Sequence, residues 1–267
     1  MPSPSVTFIM AARDAASTIK ASIDSILAQD YDGEVQLIVV DDASTDSTRC
    51  IVSEYPGVFL LVNEKQLGRS LSRNAALAHV RTDLVAIQDA DDISRPHRLT
   101  LTVPLMRDKD RSIAGGQVEW TDPVRGSYQG GYWPTHADQT AKLLSQGRMP
   151  LAHPTMVLPT ALMRSVGGYN HRYPVGEDLD LLLRIKRSFP DVEIRNSSAS
   201  VSEYRRSQID GLSYLVRSAF WRRQVLASSG GKSMTGHRFT WLAEPLRGFV
   251  RQRLKFVVGA LRGYVNH

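Results

Sequence analysis

Short apolar runs alternate with polar turns and helically periodic segments through the N-terminal part of the chain. Val6 to Met10 (VTFIM) predicts a strand, and Ala11-Ala12-Arg13-Asp14 turns the chain. From Ser17, a candidate N-cap, Ile19, Ile23, Ile26 and Leu27 recur at the spacing of one helical face. Tyr31-Asp32-Gly33 breaks that helix. Val35 to Val40 (VQLIVV) predicts a second strand, too uniformly apolar to have a wet face and therefore central and parallel. The turn Asp41-Asp42-Ala43-Ser44-Thr45-Asp46 leads into a helix carrying Ile51, Val52 and Tyr55, and Val58 to Val62 predicts a third strand. Leu67-Gly68 opens a helix through Leu71, Ala75 and Ala78, with Arg69 and Arg73 one turn apart on another face. A fourth apolar run, Leu84 to Ile87, ends abruptly in Asp89, Asp91 and Asp92.

Strand and helix in strict alternation predict an α/β protein with a parallel sheet covered on both faces. Right-handed crossovers bring the strand ends to one edge, so Asp41, Arg73, Asp89 and Asp91 are expected to share a crevice. Carboxylates crowded at a strand end repel one another. A hard divalent cation, with phosphate oxygens filling its remaining positions, would compensate them; an exposed polar turn is the plainer alternative. In extended geometry Asp89 and Asp91 point the same way. The chain has neither a G-x-G-x-x-G after its first strand nor a G-x-x-x-x-G-K-[ST] loop, so phosphates would be met by a metal and basic side chains.

Beyond Leu101 the pattern loosens. Gly115-Gly116, Val118-Glu119-Trp120 and Tyr128 to Trp133 predict short strands, with Trp120, Tyr132 and Trp133 either sugar-ring platforms or core and hinge packing. His153 to Leu158 predicts a strand entered through a rigid His-Pro step. Ala161 to Val166 predicts a short helix stopped by Gly167-Gly168. Glu177-Asp178 begins a helix carrying Leu181, Leu182 and Ile185, where an acid also suits the helix dipole. Two short strands, Val192 to Arg195 and Ala199 to Tyr204, precede Arg205-Arg206, and Asp210 to Leu226 predicts a helix. After the linker Ser228 to Lys232, a helix from Pro245 carries the apolar stripe Leu246, Phe249, Val250, Leu254, Val257 and Leu261 among Arg247, Arg251, Arg253, Lys255 and Arg262. That basic amphipathic helix suits an anionic membrane surface, the catalytic domain itself or a homodimer partner.

At 267 residues with 42% hydrophobic and 22% charged content, the composition is that of a soluble domain with a full core. The single cysteine, Cys50, excludes an internal disulfide and a cysteine-cluster metal site, and fits a reducing compartment. The start lacks the basic and long apolar regions of a signal peptide, and no run reaches membrane-spanning length. The expected location is cytoplasmic, peripheral on the inner face of the membrane. A net charge of +6 points to anionic partners, but no motif supports nucleic-acid binding.

Val39-Val40-Asp41-Asp42-Ala43-Ser44-Thr45-Asp46, Gly68-x4-Arg73-Asn74, Asp89-Ala90-Asp91-Asp92, Gly167-Gly168-Tyr169 and Glu177-Asp178-Leu179-Asp180-Leu181-Leu182-Leu183-Arg184 occur in that order. Together they resemble family 2 inverting glycosyltransferases of the GT-A fold over about residues 5–205. The resemblance implies a Rossmann-like, mostly parallel sheet flanked by helices, with a C-terminal helical extension. Residues 1–226 would form the glycosyltransferase domain, 1–100 its donor half and 101–226 its acceptor half, and 227–267 the linker and basic helix. It implies Mn²⁺- or Mg²⁺-dependent transfer from a nucleotide-sugar, most often a UDP-sugar, to a hydroxyl of a glycan or lipid-linked acceptor in cell-surface polysaccharide synthesis.

By the same resemblance, Ala11, Arg13, Asp41, Arg73, Asp89 and Ala90 would line the nucleotide-sugar site. Asp91 would ligate the metal, with His153 a further candidate ligand. Gly167, Gly168, Tyr169 and Glu177 would wall the acceptor pocket, Asp178 would be the general base, and Arg205 and Arg206 would meet the diphosphate. The turn Ala11-Ala12-Arg13-Asp14 departs from the usual Pro-x-Tyr-Asn type, leaving a smaller shelf that carries a cation. Plainer roles compete: Asp42 and Asp46 as helix caps, Asp92 as a support or a cap for the helix that Pro96 begins, Asn74 as a loop brace, and Arg98 as a partner of the acids or a solvated charge. The rival readings are a non-catalytic nucleotide- or glycan-binding scaffold and a sugar nucleotidyltransferase. The latter should carry a Gly-rich, Arg-containing loop after the first strand, and the turn here is different.

Overall fold

β1 (Val6–Ala12) is buried at every position except Ala11, because neighbours hydrogen-bond to both its edges and helices cover both its faces. β2 (Val35–Asp41) and β4 (Leu84–Asp89) flank it in parallel, and β3 (Val58–Val62) adds parallel to β2. The register sets Ala12 beside Asp41 and Ala11 beside Asp89, so these groups reach the carboxyl edge of the sheet together. α1 (Ile19–Leu27) packs Ile19, Ile23 and Ile26 against Val6, Phe8, Met10, Leu37 and Val39, as its periodicity predicts. α2 (Thr48–Ser53) and α3 (Arg69–His79) complete the alternation.

The second half extends the same sheet, which runs β3-β2-β1-β4-β8-β6-β9-β5 with β7 paired to β6. β5 (Ile93–Ser94) and α4 (Arg98–Thr102) follow the acidic turn. β6 (Ser112–Asp122) forms a hairpin with β7 (Gly126–Gln129), and α5 (Ala137–Ser145) leads on to β8 (Val157–Pro159), which is antiparallel to β4. α6 (Thr160–Ser165) and α7 (Glu177–Ser188) then precede β9 (Glu193–Arg205). The computed structural model describes residues 2–108, 110–122, 126–129, 132–205 and 212–228.

Several local expectations shift. Thr18 rather than Ser17 precedes α1, with no side-chain cap. The two expected strands at 192–204 are one, β9, because its polar middle is accommodated by a bulge opposite Gly115 to Gln117 of β6. A Cβ at Gly116 would collide with Val201, so a glycine lets β9 pass. Asp92 does not cap a helix at Pro96, since α4 starts at Arg98. Asp46 accepts from Thr48 N, the first residue of α2, at 2.9 Å, whereas Asp42 caps no helix and instead accepts from Leu67 N and Gly68 N, just ahead of α3, at 2.8 Å each.

The chain divides into two compact units, Met1–Arg206 and Ser207–His267. In the second, α8 (Leu212–Ser228) buries Ala219 and Val225 and pairs the rings of Phe220 and Trp221 edge to face. The linker after Ser228 and the basic helix expected from Pro245 lie outside the described residues. Among the described residues no helix is long and apolar enough to cross a membrane.

Candidate active site

Parallel β4 delivers three carboxylates to the crevice in three different states. Asp89 is met by Arg73, whose Nη2 lies 2.6 Å from its Oδ1. Burial, the largest single influence, would raise the Asp89 carboxyl, but Arg73, His153 and Arg69 together hold the group below its usual range. Asp91 reaches solvent and has no hydrogen bond to another residue and no ion pair among the described residues. Crowding by surrounding atoms, then the charge of Asp89, raise its pKa. Asp92 is 1% exposed and points back, taking a hydrogen bond from Arg205 N at 3.3 Å. Burial, then the charges of Asp89 and Asp91, push it well above an ordinary carboxyl.

Arg98 is neither solvated nor hydrogen-bonded to the acids. It is fully buried beneath the turn, donating to Ile87 O at 2.8 Å and to Gln88 Oε1 and Ser94 Oγ at 2.9 Å, with its guanidinium over the Phe8 ring. Sequence reasoning missed this strut, because its signal (a cation four residues after Ser94 and ten after Gln88) is indistinguishable from a surface charge.

At the ends of β1 and β2, Asp41 is buried and takes a long hydrogen bond from Ser44 N at 3.4 Å. Ala12 borders it, Ala11 lies between Val40 and Asp89, and Ala90 is nearly buried at the acidic turn. Arg13 keeps a half-exposed side chain 3.4 Å from Asp14. Asp14 and Ala43 both have positive φ, 47° and 59°. These strained turns interlock: Asp14 Oδ1 accepts from Thr45 N at 2.8 Å, while Ser44 Oγ accepts from Asp14 N at 3.0 Å. The loops after β1 and β2 thus form one shelf at the sheet edge.

On the other side, Gly167 and Gly168 adopt φ of 76° and 66° and present Tyr169, which is 2% exposed. Asn74 of α3 clamps the Tyr169 backbone, which makes it the loop brace that its plainer reading suggests. The Tyr169 hydroxyl lies 2.7 Å from His153 Nε2, and Arg73 stacks over its ring at 5.5 Å. Burial, then the charge of Arg73, pull His153 down to about 3, so the imidazole is neutral at physiological pH. Trp120 packs against Tyr204, whereas Tyr132 is exposed.

α7 starts after Gly176, whose left-handed φ of 87° turns the chain into the helix. Glu177 is buried and sits 3.3 Å from Arg69 Nη2 and 3.5 Å from Arg73 Nη1. Asp178 beside it is half-buried, with Oδ1 accepting from Leu179 N at 2.7 Å. Burial, then the charge of Glu177, push its carboxyl up to about 6. Arg69 acts electrostatically on Asp89, Asp91, His153 and Asp178 alike, so the acidic turn and the head of α7 share one field. Arg205 also acts on Asp91, while Arg206 lies outside the described residues.

Among the described residues no group of three or more His, Cys, Asp or Glu could hold a metal. Asp91 still fits a divalent ion of the substrate-bound kind. It is a solvent-facing oxygen donor beside the negative charge of Asp89, which a cation would relieve, with diphosphate and water as the remaining ligands. His153 offers less, since its Nε2 is taken by Tyr169.

A family model described as Glycosyl transferase family 2 matches residues 7–163. EpsE of Bacillus subtilis is 31% identical over 191 residues, covering 68% of this chain and 66% of EpsE. The succinoglycan biosynthesis protein ExoO of Rhizobium meliloti is 30% identical over 180 residues, covering 65% of this chain and 48% of ExoO. WfgD of Escherichia coli, a UDP-Glc:alpha-D-GlcNAc-diphosphoundecaprenol beta-1,3-glucosyltransferase, is 36% identical over 116 residues, 43% of this chain and 46% of WfgD. The chain thus spans about half to two thirds of the length of these relatives. Staphylococcus aureus TarS 1–349 in complex with UDP-GlcNAc superposes with a TM-score of 0.68 at 18% identity, over 91% of this chain and 71% of that one. The mannosyltransferase PcManGT from Pyrobaculum calidifontis, in complex with GDP-Man and Mn²⁺, gives 0.65 at 20% identity, over 92% and 71%. With the family match running through the strands and turns that build the crevice, and a sheet of the same architecture, the chain belongs to glycosyltransferase family 2 and has the GT-A fold.

Proposed function

We propose that the protein is a metal-dependent inverting glycosyltransferase that moves a sugar from a UDP-sugar to a hydroxyl of a glycan or lipid-linked acceptor in polysaccharide synthesis. The UDP reading rests on WfgD and on the UDP-GlcNAc complex of TarS, and the acceptor class on WfgD and ExoO. The observation that carries the chemistry is Asp178, a carboxyl pushed up to about 6 at the head of α7, in the field of the acidic turn. At pH 7 such a group is largely ionised, yet it holds a proton better than an ordinary aspartate does, which suits a general base.

In the displacement, the acceptor oxygen bonds to the anomeric carbon as the bond from that carbon to the diphosphate oxygen breaks. The acceptor proton passes to Asp178. Its Oδ2 is the atom for this, because Oδ1 is engaged by Leu179 N. Mn²⁺ or Mg²⁺ held by Asp91 would neutralise charge on the departing diphosphate. Ala11, Arg13, Asp41 and Ala90 line the shelf for the nucleoside, Asp89 is steadied at its edge by Arg73, and Gly167, Gly168 and Tyr169 wall the acceptor side. Arg205 adds positive charge beside Asp91. A lipid-linked acceptor suits a position at the cytoplasmic face of the membrane.

A panel of nucleotide-sugars tested for Mn²⁺-dependent thermal stabilisation addresses the donor, and a UDP compound is expected to give the largest shift. Asp178→Asn should keep that shift and lose roughly 100-fold or more in turnover. Normal turnover by Asp178→Asn would overturn the assignment.

A further inference from the structure

Arg73 is, with Arg98, the largest fully buried side chain among the described residues, and it is a cation. A buried guanidinium is tolerated only where its charge is matched, and here two carboxylates from opposite halves of the crevice match it. Nη2 holds Asp89 at the end of β4 at 2.6 Å, and Nη1 lies 3.5 Å from Glu177 at the start of α7, 104 residues further along the chain. Its face covers the Tyr169 ring at 5.5 Å, and its Nε has no hydrogen-bond partner. With 1% of its side chain exposed, it offers no free edge to a nucleotide.

We infer that Arg73 is a positioning residue that ties the donor-side Asp89 to the Glu177–Asp178 step of α7, so that donor seating and base placement are set by one side chain. This rests on the reading of Asp178 as base. The planar fork is what the geometry requires: its two terminal nitrogens serve two acids at once, which a lysine ammonium, a point donor, does not reproduce. Arg69 alone does not replace it, since it is mostly exposed and, among the described residues, ion-pairs with Glu177 and hydrogen-bonds Pro174 O without reaching Asp89. The groups facing Asp178 are Glu177 on its own helix, Arg69 and Arg73 on α3, and Tyr169 from the preceding loop.

The test uses the full-length protein, the UDP-sugar with the largest thermal shift, Mn²⁺, water as acceptor and UDP release as the readout. Arg73→Lys should raise donor KM and lower kcat, each by about tenfold or more. Glu177→Gln should leave donor KM unchanged while lowering kcat and moving the acid limb of the pH profile down, because the charge that raises Asp178 is gone. A variant Arg73→Lys that changes KM alone marks a residue that only binds donor, and one that lowers Tm with unaltered kinetics marks a purely structural one; either overturns the inference. If Arg73→Lys does not fold, Glu177→Gln decides, and unchanged kcat and pH limb overturn it. Asp178→Asn run alongside separates the two ideas. Its normal turnover removes the base reading itself, whereas its inactivity beside a null result at Arg73 and Glu177 removes only the positioning role.

Discussion

Asn74 and Tyr169 hold each other through a closed pair of hydrogen bonds: Asn74 Nδ2 donates to Tyr169 O and Tyr169 N donates to Asn74 Oδ1, both at 2.8 Å. The side chain thus imitates a strand partner, fixing the loop before α7 to the helix that also carries Arg69 and Arg73. Asn74→Ala leaves both backbone groups without this partner and should cost about 2 kcal/mol. Asn74→Asp keeps the acceptor but sets a carboxylate against a carbonyl, and should rescue little. Thermal melts of the two variants check this.

The same clamp separates the two glycines before it. Gly167 has φ of 76°, and a Cβ there would meet open space, so Gly167→Ala should cost about 1 kcal/mol, the penalty of a left-handed alanine. Gly168 has φ of 66°, and a Cβ there would collide with Asn74 Oδ1. Since Asn74 is held at both ends, it cannot give way cheaply. Gly168→Ala should therefore be clearly the worse of the pair in denaturant titration.

Asp178 predicts the pH behaviour. Turnover per donor bound to free enzyme should rise with an acid limb near pH 6, as the carboxylate forms. Stability runs the other way. The folded protein keeps this proton above the ordinary value of 3.8, so the contribution is full below about 3.8 and is lost as pH rises through about 6. Asp178→Asn should remove the acid limb of residual activity and flatten that part of the stability curve. Unfolding at several pH values, compared with wild type, provides the measurement.

Asp91 should carry the metal dependence. In the wild type, Mn²⁺ with UDP is expected to raise Tm beyond either alone, and chelation should reverse the gain. Asp91→Ala should lose that synergy and on the order of 100-fold or more in turnover, while its metal-free Tm changes little because the side chain faces solvent.

Arg98 should matter for stability without touching substrate. Arg98→Met removes donors from Ile87 O, Gln88 Oε1 and Ser94 Oγ, and should destabilise by about 3 kcal/mol. Arg98→Lys should recover only part of this, because an ammonium cannot span three acceptors set around a planar fork. Equilibrium unfolding in urea distinguishes the two.

The parallel half of the fold was legible because its signals are local. Uniformly apolar runs such as Val35 to Val40 and the helical stripe Ile19, Ile23, Ile26 depend on near neighbours in sequence, and the topology rules then carry Asp41, Asp89 and Asp91 to one edge. The second half of the sheet was legible only in pieces. The continuity of β9 past its polar middle depends on a bulge and a glycine in β6, some eighty residues earlier in the chain.

Residue types and spacing by themselves determined where charge accumulates: an acid turn after a buried strand, a Glu-Asp pair opening a helix, and arginines one turn apart on α3. Only the tertiary structure decided what each charge does, because burial and partner distance come from elements remote in sequence. Arg69 and Arg73 look alike in the chain, yet one side chain is 57% exposed and the other 1%. Asp91 and Asp92 are adjacent, yet one opens to solvent while the other turns inward to Arg205 N. His153 is held by a tyrosine sixteen residues away, and Arg73 by an acid 104 residues away. The cost of desolvating a charge is set by what surrounds it in space, and no local pattern encodes that.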